Sequence, residues 1–279
     1  MLRALAGGLL ALIGAATAAG QDGVPTDISI FGWEAPQIVE PYMADRAIFT
    51  PRANVVPQGR FIVSAGTTYT YNDDNDVEVQ NWTGPELKIQ AGILPRTNVN
   101  IAWDGYSTTE IDSTGFSDTT SGNTDADIEV KFQVLESESL LPGVSLFAGA
   151  SIPIGSDEIT SDRVDPNAGI TLWWDEFDEV WSVFGSARFS LLEDFNDEEF
   201  VQSTVSVGTA QTWAGSGVQS FVEYFGFLND NDAVNDAHFL QGGAIFEVAP
   251  NATLDARIGV GLSDDSADLF FGFGGSISL

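Results

Sequence analysis

The chain has no cysteine, one histidine and two methionines in 279 residues, and only ten lysines and arginines against 41 aspartates and glutamates. Without cysteine there is no disulfide framework and no thiolate metal site. The formal net charge of −31 repels a polyanion and excludes nucleic acid as a partner. The single histidine, His238 beside Asp236, has no Gly-x-Ser-x-Gly or His-Glu-x-x-His motif around it, which speaks against an enzyme of the hydrolase type. The "GFGGS" near the end lacks the lysine and following helix of a phosphate loop. Beyond the first twenty residues no apolar run is long enough for a membrane-crossing helix.

What is present begins with "MLRALAGGLLALIGAATAAG". Arg3, an apolar run over 4–16 and the small-x-small site Ala16-Thr17-Ala18 form a secretory signal peptide over 1–19. Residues 20–59 carry prolines at 25, 36, 41, 51 and 57 without a sustained period. They form an irregular leader that either stays in the periplasm or enters the lumen as a partial plug.

From 60 to 279 the pattern is monotonous. The strands are expected at 60–71, 84–94, 97–105, 126–135, 144–154, 166–174, 180–191, 200–211, 217–227, 237–248, 252–262 and 269–279. Successive side chains on a strand face opposite sides. In "DADIEVKFQVL" one face is Ile128, Val130, Phe132 and Val134, and the other is Asp127, Glu129, Lys131 and Gln133. Leu87, Ile89 and Ile93 oppose Glu86, Lys88 and Gln90, and Leu254, Ile258 and Val260 oppose Asp255, Arg257 and Gly259.

A soluble sandwich alternates in the same way, so the connections must separate the two. The long acidic ones, 72–83, 106–125, 155–165, 192–199, 228–236 and 263–268, alternate with mostly tight ones such as Pro95-Arg96 and Ala249-Pro250-Asn251. That is the pattern of an outer-membrane barrel, with long extracellular loops and short periplasmic turns. Tyr69, Tyr71, Trp82, Tyr224 and Phe271 then fall near the outer interface, and Trp174, Trp181 and Trp213 near the inner one, as two aromatic girdles. The expected fold is all-β: a transmembrane antiparallel up-and-down β-barrel of about twelve strands in the outer membrane, apolar faces toward lipid and charged faces toward a wet lumen.

"MADRAIFTPRANVVPQGRFIVSAGTTYTYN" (43–72) and the stretch from 221 to 279 resemble a bacterial transporter-like family named for the MetA pathway of phenol degradation, grouped with outer-membrane β-barrels. Val56-Pro57-Gln58-Gly59 matches its opening, whereas Arg46-Ala47-Ile48-Phe49-Thr50 lacks the usual Pro-Asp pair. The closing half carries Glu223-Tyr224-Phe225-Gly226, Asp236-Ala237-His238, Gly242-Gly243, Pro250-Asn251, Asp255, Gly259, Gly261 and a glycine-rich last strand. Leu279 replaces the usual terminal aromatic. The resemblance implies passage of a small solute, aromatic or organic.

Inward parity places Glu86, Lys88, Glu129, Lys131, Arg188, Glu223, Glu247, Asp255 and Arg257 in one lumen as candidate solute-contacting residues, with Gln90, Gln133, Gln219 and Gln241 and the aromatics Phe147, Trp173, Phe184, Phe221, Phe225 and Phe239. Both signs of charge serve either as a filter or as pairs that close the bore. "NDDND" and "NDND" lack the sixth-position glycine and twelfth-position glutamate of a calcium loop and read as solvated acidic loops. The expected function is passive passage of small solutes, with no cofactor and with outer-membrane lipid as surroundings. A structural or adhesive barrel, and more distantly a soluble sandwich, are the alternatives.

Overall fold

The computed structural model describes residues 45–279 apart from 75, 139, 162, 178, 179, 195–197 and 232. The signal peptide and the leader up to residue 44 lie outside the described residues. Among the described residues fourteen strands follow one another: β1 (Phe61–Asp74), β2 (Val77–Leu94), β3 (Thr97–Trp103), β4 (Tyr106–Ser113), β5 (Phe116–Asn123), β6 (Ala126–Leu135), β7 (Gly143–Ile152), β8 (Asp165–Phe177), β9 (Trp181–Glu193), β10 (Glu199–Trp213), β11 (Val218–Asn229), β12 (Ala237–Ala249), β13 (Ala252–Gly261) and β14 (Leu269–Ser278). β1 pairs antiparallel both with β2 and with β14, which closes a ring of twelve strands. β4 and β5 stand outside that ring.

The twelve ring strands coincide with the twelve expected segments. The loops expected at 72–83 and 106–125 are instead largely strand. β1 and β2 run on to a tight turn at Asp76, whose φ is 65°, and β4 and β5 form a hairpin around Gly115 at φ 84°. β2 changes partner along its length: 87–94 pair with β3, and 77–84 pair with β4. Above the bilayer both faces of a sheet meet water, so the threonine- and serine-rich β4 and β5 need no apolar face and give no alternation.

The outward positions carry Ile89, Ile128, Val130, Phe132, Val207, Val222, Leu254, Ile258 and Phe273, all exposed. A continuous apolar belt of this kind is stable against hydrocarbon and not against water. Closure suits the same solvent, because the ring leaves no unpaired strand edge at lipid depth. Tyr69 lies near Trp82 and Phe271, with ring centroids 6.3 and 5.1 Å away. Trp181 and Trp213 sit at the opposite, short-turn end, exposed.

At the long-loop end, hydrogen bonds link neighbouring connections. The Asn123 amide donates to Ser156 Oγ at 2.9 Å. Arg163 contacts Asp165 at 3.3 Å, Glu199 at 3.0 Å and also Glu193. Asn231 donates to Asp194 at 3.1 Å, Asn235 to Asp265 at 2.9 Å, and the Asp73 amide to Asp268 at 2.9 Å. The mouth is thereby collared.

Residues 45–56 occupy the inside of the ring, entering from the short-turn end. The Gly59 amide donates to the Gly92 carbonyl at 2.8 Å. A Cβ on Gly92 would lie 2.0 Å from the Pro57 carbonyl oxygen, so only glycine lets the chain pass there. Ala47, Ile48 and Ala53 pack with Trp173, Phe184, Ala210, Phe221 and Ile245 into a buried apolar cluster. Trp173 and Phe184 stack at 4.2 Å, and Arg52 lies over the Trp173 ring at 4.7 Å. Higher up, Phe49 stacks on Phe225 at 4.2 Å.

The firmest hold is Glu223 of β11, buried. Its carboxylate accepts the amides of Phe49 at 2.8 Å and Thr50 at 2.7 Å, the Thr50 hydroxyl at 2.5 Å and the Gln241 amide at 2.7 Å. Hydrogen bonds to a charged partner contribute about 1.5–3 kcal/mol each. Replacing Glu223 with Ala is therefore expected to free the segment: trypsin should cut after Arg46 or Arg52 in the folded, detergent-solubilised variant while the parent resists, and equal resistance would contradict this anchoring. On the lipid face, Val130→Arg is expected to lower stability by about 2–4 kcal/mol. Urea titration of vesicle-inserted protein reads that loss, and an unchanged midpoint would argue against lipid contact at Val130.

Candidate functional site

The inward side chains divide into two zones. Around the luminal segment they are consumed by it. Asp45 accepts the Arg52 amide at 2.8 Å and the Gln90 side chain at 3.0 Å, and faces the Lys131 ammonium at 3.4 Å. Lys131 in turn donates to the Arg52 carbonyl at 2.9 Å. Burial alone would raise the Asp45 carboxyl, but Lys131, Lys88 and the amide and guanidinium of Arg52 outweigh it and hold it below the ordinary carboxylate range. An ion pair sealed in this way is costly to break from one side, by about 3–5 kcal/mol.

Arg46 bridges two strands of the wall, at 2.7 Å to Glu86 on β2 and 2.7 Å to Asp255 on β13. It lies flat against the sheet because Gly66 and Gly274 carry no side chain: a Cβ at either would come within 2.4 Å of the guanidinium. The glycine-rich last strand is thus a bed for an arginine. Arg257 donates to the Thr68 hydroxyl at 2.9 Å and stands 3.8 Å from Glu86, while Thr68 also donates to Glu86. Across the lumen Arg188 pairs with Glu129 at 2.8 Å, stands over the Phe147 ring at 4.9 Å, and Glu129 also accepts from Asn100 at 2.9 Å.

Of the nine sequence-derived candidates, eight therefore face the interior: Glu86, Lys88, Glu129, Lys131, Arg188, Glu223, Asp255 and Arg257. Glu247 does not join them. It is exposed at the short-turn end, next to Gly217, beside the bulge between Glu247 and Ala249. Parity fixes a side chain's face but not its depth. Gln90, Gln133, Gln219 and Gln241 are all buried, as are Phe147, Trp173, Phe184, Phe221 and Phe225.

The second zone is a cavity of about 370 Å³ above the segment, lined by Arg46, Phe49, Glu86, Lys88, Asp104 and Arg257 among others. Ala102 makes room for it. Its register partners are Lys88 on β2 and Asp127 on β6, so a methyl group separates an ammonium from a carboxylate along one inward row. Asp45, Arg46, Arg52 and Asp104 are the site residues the sequence reading did not single out. Asp104 shares the inward parity of Ala102 and was available to the same rule; the other three sit in an aperiodic stretch where no rule of parity applies.

Three solved structures share the architecture. An outer membrane channel from Pseudomonas putida F1 aligns with a TM-score of 0.65 at 11% identity, over 85% of this chain and 100% of that one. The NanC porin gives 0.51 at 12% identity over 78% of this chain and 100% of that one. The translocator domain of the autotransporter NalP from Neisseria meningitidis gives 0.52 at 12% identity over 78% and 87%. At such identities the likeness shows the fold. No curated protein matches the chain in sequence. With a closed ring, an apolar outer belt and a polar interior, the chain is an outer-membrane β-barrel. The profile of the family described as "Putative MetA-pathway of phenol degradation" matches residues 44–279, and the chain belongs to that family.

Proposed function

We propose that this protein is an outer-membrane channel through which small solutes pass passively, filtered by the mixed charges of its lumen and narrowed by residues 45–56. The observation that carries the reading is the inner wall itself. Lipid dictates the outer face, but a barrel that served only as a scaffold has no use for a chamber lined by Lys88, Arg257, Glu86 and Asp104. The chemistry of such a chamber is recognition and exclusion by charge, with no reaction required. The kinship with barrels described as a channel and as a porin supports the same reading. A structural or adhesive barrel is the alternative, favoured by the collared acidic mouth, and it assigns the lumen charges no electrical consequence.

Planar-bilayer recording under a salt gradient separates the two. Discrete conductance steps are expected. The double variant Lys88→Met, Arg257→Met removes two positive charges from the wall and should move the reversal potential toward greater cation preference. Absence of steps from a correctly folded, heat-modifiable preparation, or a reversal potential that the double variant leaves in place, would favour the scaffold.

A further inference from the structure

The charges of the lumen are not equally free. Lys131 is committed to Asp45, Arg188 to Glu129, and Arg46 to both Glu86 and Asp255. Glu223 is saturated by the luminal segment and Gln241. What remains faces the 370 Å³ cavity. Lys88, with three donor positions, makes one hydrogen bond among the described residues, 3.3 Å from the Asp45 carbonyl. Arg257 lines the cavity as well: its Nη2 donates to the Thr68 hydroxyl at 2.9 Å and stands 3.8 Å from Glu86, while its Nε is buried beside Gly272 of β14. Asp104 lines the same cavity, is exposed, and accepts no hydrogen bond from the described residues.

These groups have a fixed relation. Lys88 is the register partner of Ala102, and Asp104 lies two residues further along the same face. That diagonal separates their backbones by about 7–8 Å. One end of the chamber therefore offers donors, from Lys88 and Arg257, and the adjacent end an acceptor, Asp104. Ile48 and Phe49 of the luminal segment supply an apolar side.

Each simpler ligand meets an opposing term. An anion satisfies Lys88 and Arg257 but approaches Asp104 and Glu86. A cation satisfies Asp104 but approaches Lys88, Arg46 and Arg257. An uncharged apolar molecule strips water from all of them and returns no hydrogen bond. A molecule carrying both charges a few bonds apart meets each group with its opposite.

We infer that the chamber binds small zwitterions of the amino-acid type, with the carboxylate held by Lys88 and Arg257, the ammonium by Asp104, and an apolar side chain against Ile48 and Phe49. The inference names the solute class of the channel proposed above and rests on that reading. The chamber stands on the outer side of the luminal segment, where a solute arriving through the mouth would be held before the constriction.

The test is isothermal titration of the folded, detergent-solubilised protein at low ionic strength with three probes: L-leucine, 4-methylpentanoate, which is leucine without its amine, and 3-methylbutylamine, which is leucine without its carboxylate. Leucine is expected to bind at least about tenfold more tightly than either half, the equivalent of one charge-assisted contact. Lys88→Met should weaken leucine and 4-methylpentanoate while sparing the amine; Asp104→Asn should weaken leucine and the amine while sparing the acid. Heat-modifiable mobility on gels certifies that each variant is folded. Leucine binding no tighter than one of its halves, or unchanged in both folded variants, would overturn the inference. Bilayer recordings of the same preparations keep the two readings apart. Steps without leucine binding overturn the zwitterion site and leave the channel, whereas saturable leucine binding without steps upholds the site and overturns the channel.

Discussion

In hydrocarbon an unpaired peptide group finds no hydrogen-bond partner, and every other feature of this barrel follows from meeting that constraint. β1 meets it by pairing along one edge with β14 and along the other with β2. Once the ring is closed, the solvent inside and the solvent outside are different liquids, and each strand must present a different chemistry to each. The period-2 alternation is the sequence's record of two solvents. β2 shows where the constraint lapses: from residue 87 onward it pairs with β3 inside the ring, and over 77–84 it pairs with β4 in a sheet that water surrounds.

Closure creates a second problem. A ring of twelve strands encloses more space than its own side chains fill, and the charges that face this space must be hydrated or paired. The chain divides the solution by depth. Toward the short-turn end, residues 45–56 bring an apolar cluster and three charged residues that pair with Lys131, Glu86, Asp255 and Gln219. Toward the mouth the segment no longer fills the bore, and a cavity lined by Lys88, Arg257 and Asp104 remains. The glycines of β14 belong to the first part of this solution, since they let Arg46 reach across the sheet instead of standing away from it.

How much of this was legible depends on whether a residue faces one solvent or two. Ile128, Val130 and Phe132 against Glu129 and Lys131 could be assigned to their faces at once, because lipid and lumen impose opposite polarity on adjacent positions. The hairpin of β4 and β5 leaves little trace in the sequence because "YSTTEIDS" and "FSDTTSGN" are wet on both faces and so carry little alternation. Glu247 was assigned to the lumen by parity, and parity is silent about depth; a bulge and a turn place it on the rim. The partners of the luminal segment were not legible at all. "DRAIFTPRAN" has no period, and nothing local distinguishes Glu223, which accepts its amides, from Glu129, which pairs with Arg188.

Residues 45–56 lie inside the ring with Thr50 against the wall of β10, and the absence of native cysteine makes that placement directly testable. Thr50 Oγ and Ser206 Oγ are 2.6 Å apart, so the double variant Thr50→Cys, Ser206→Cys introduces the chain's only two thiols at one point of contact. Mild oxidation in intact outer membranes should join them nearly completely, read as a loss of thiol labelling, in a barrel that keeps its heat-modifiable mobility. Two thiols that stay free in such a barrel would place the segment elsewhere and contradict the account.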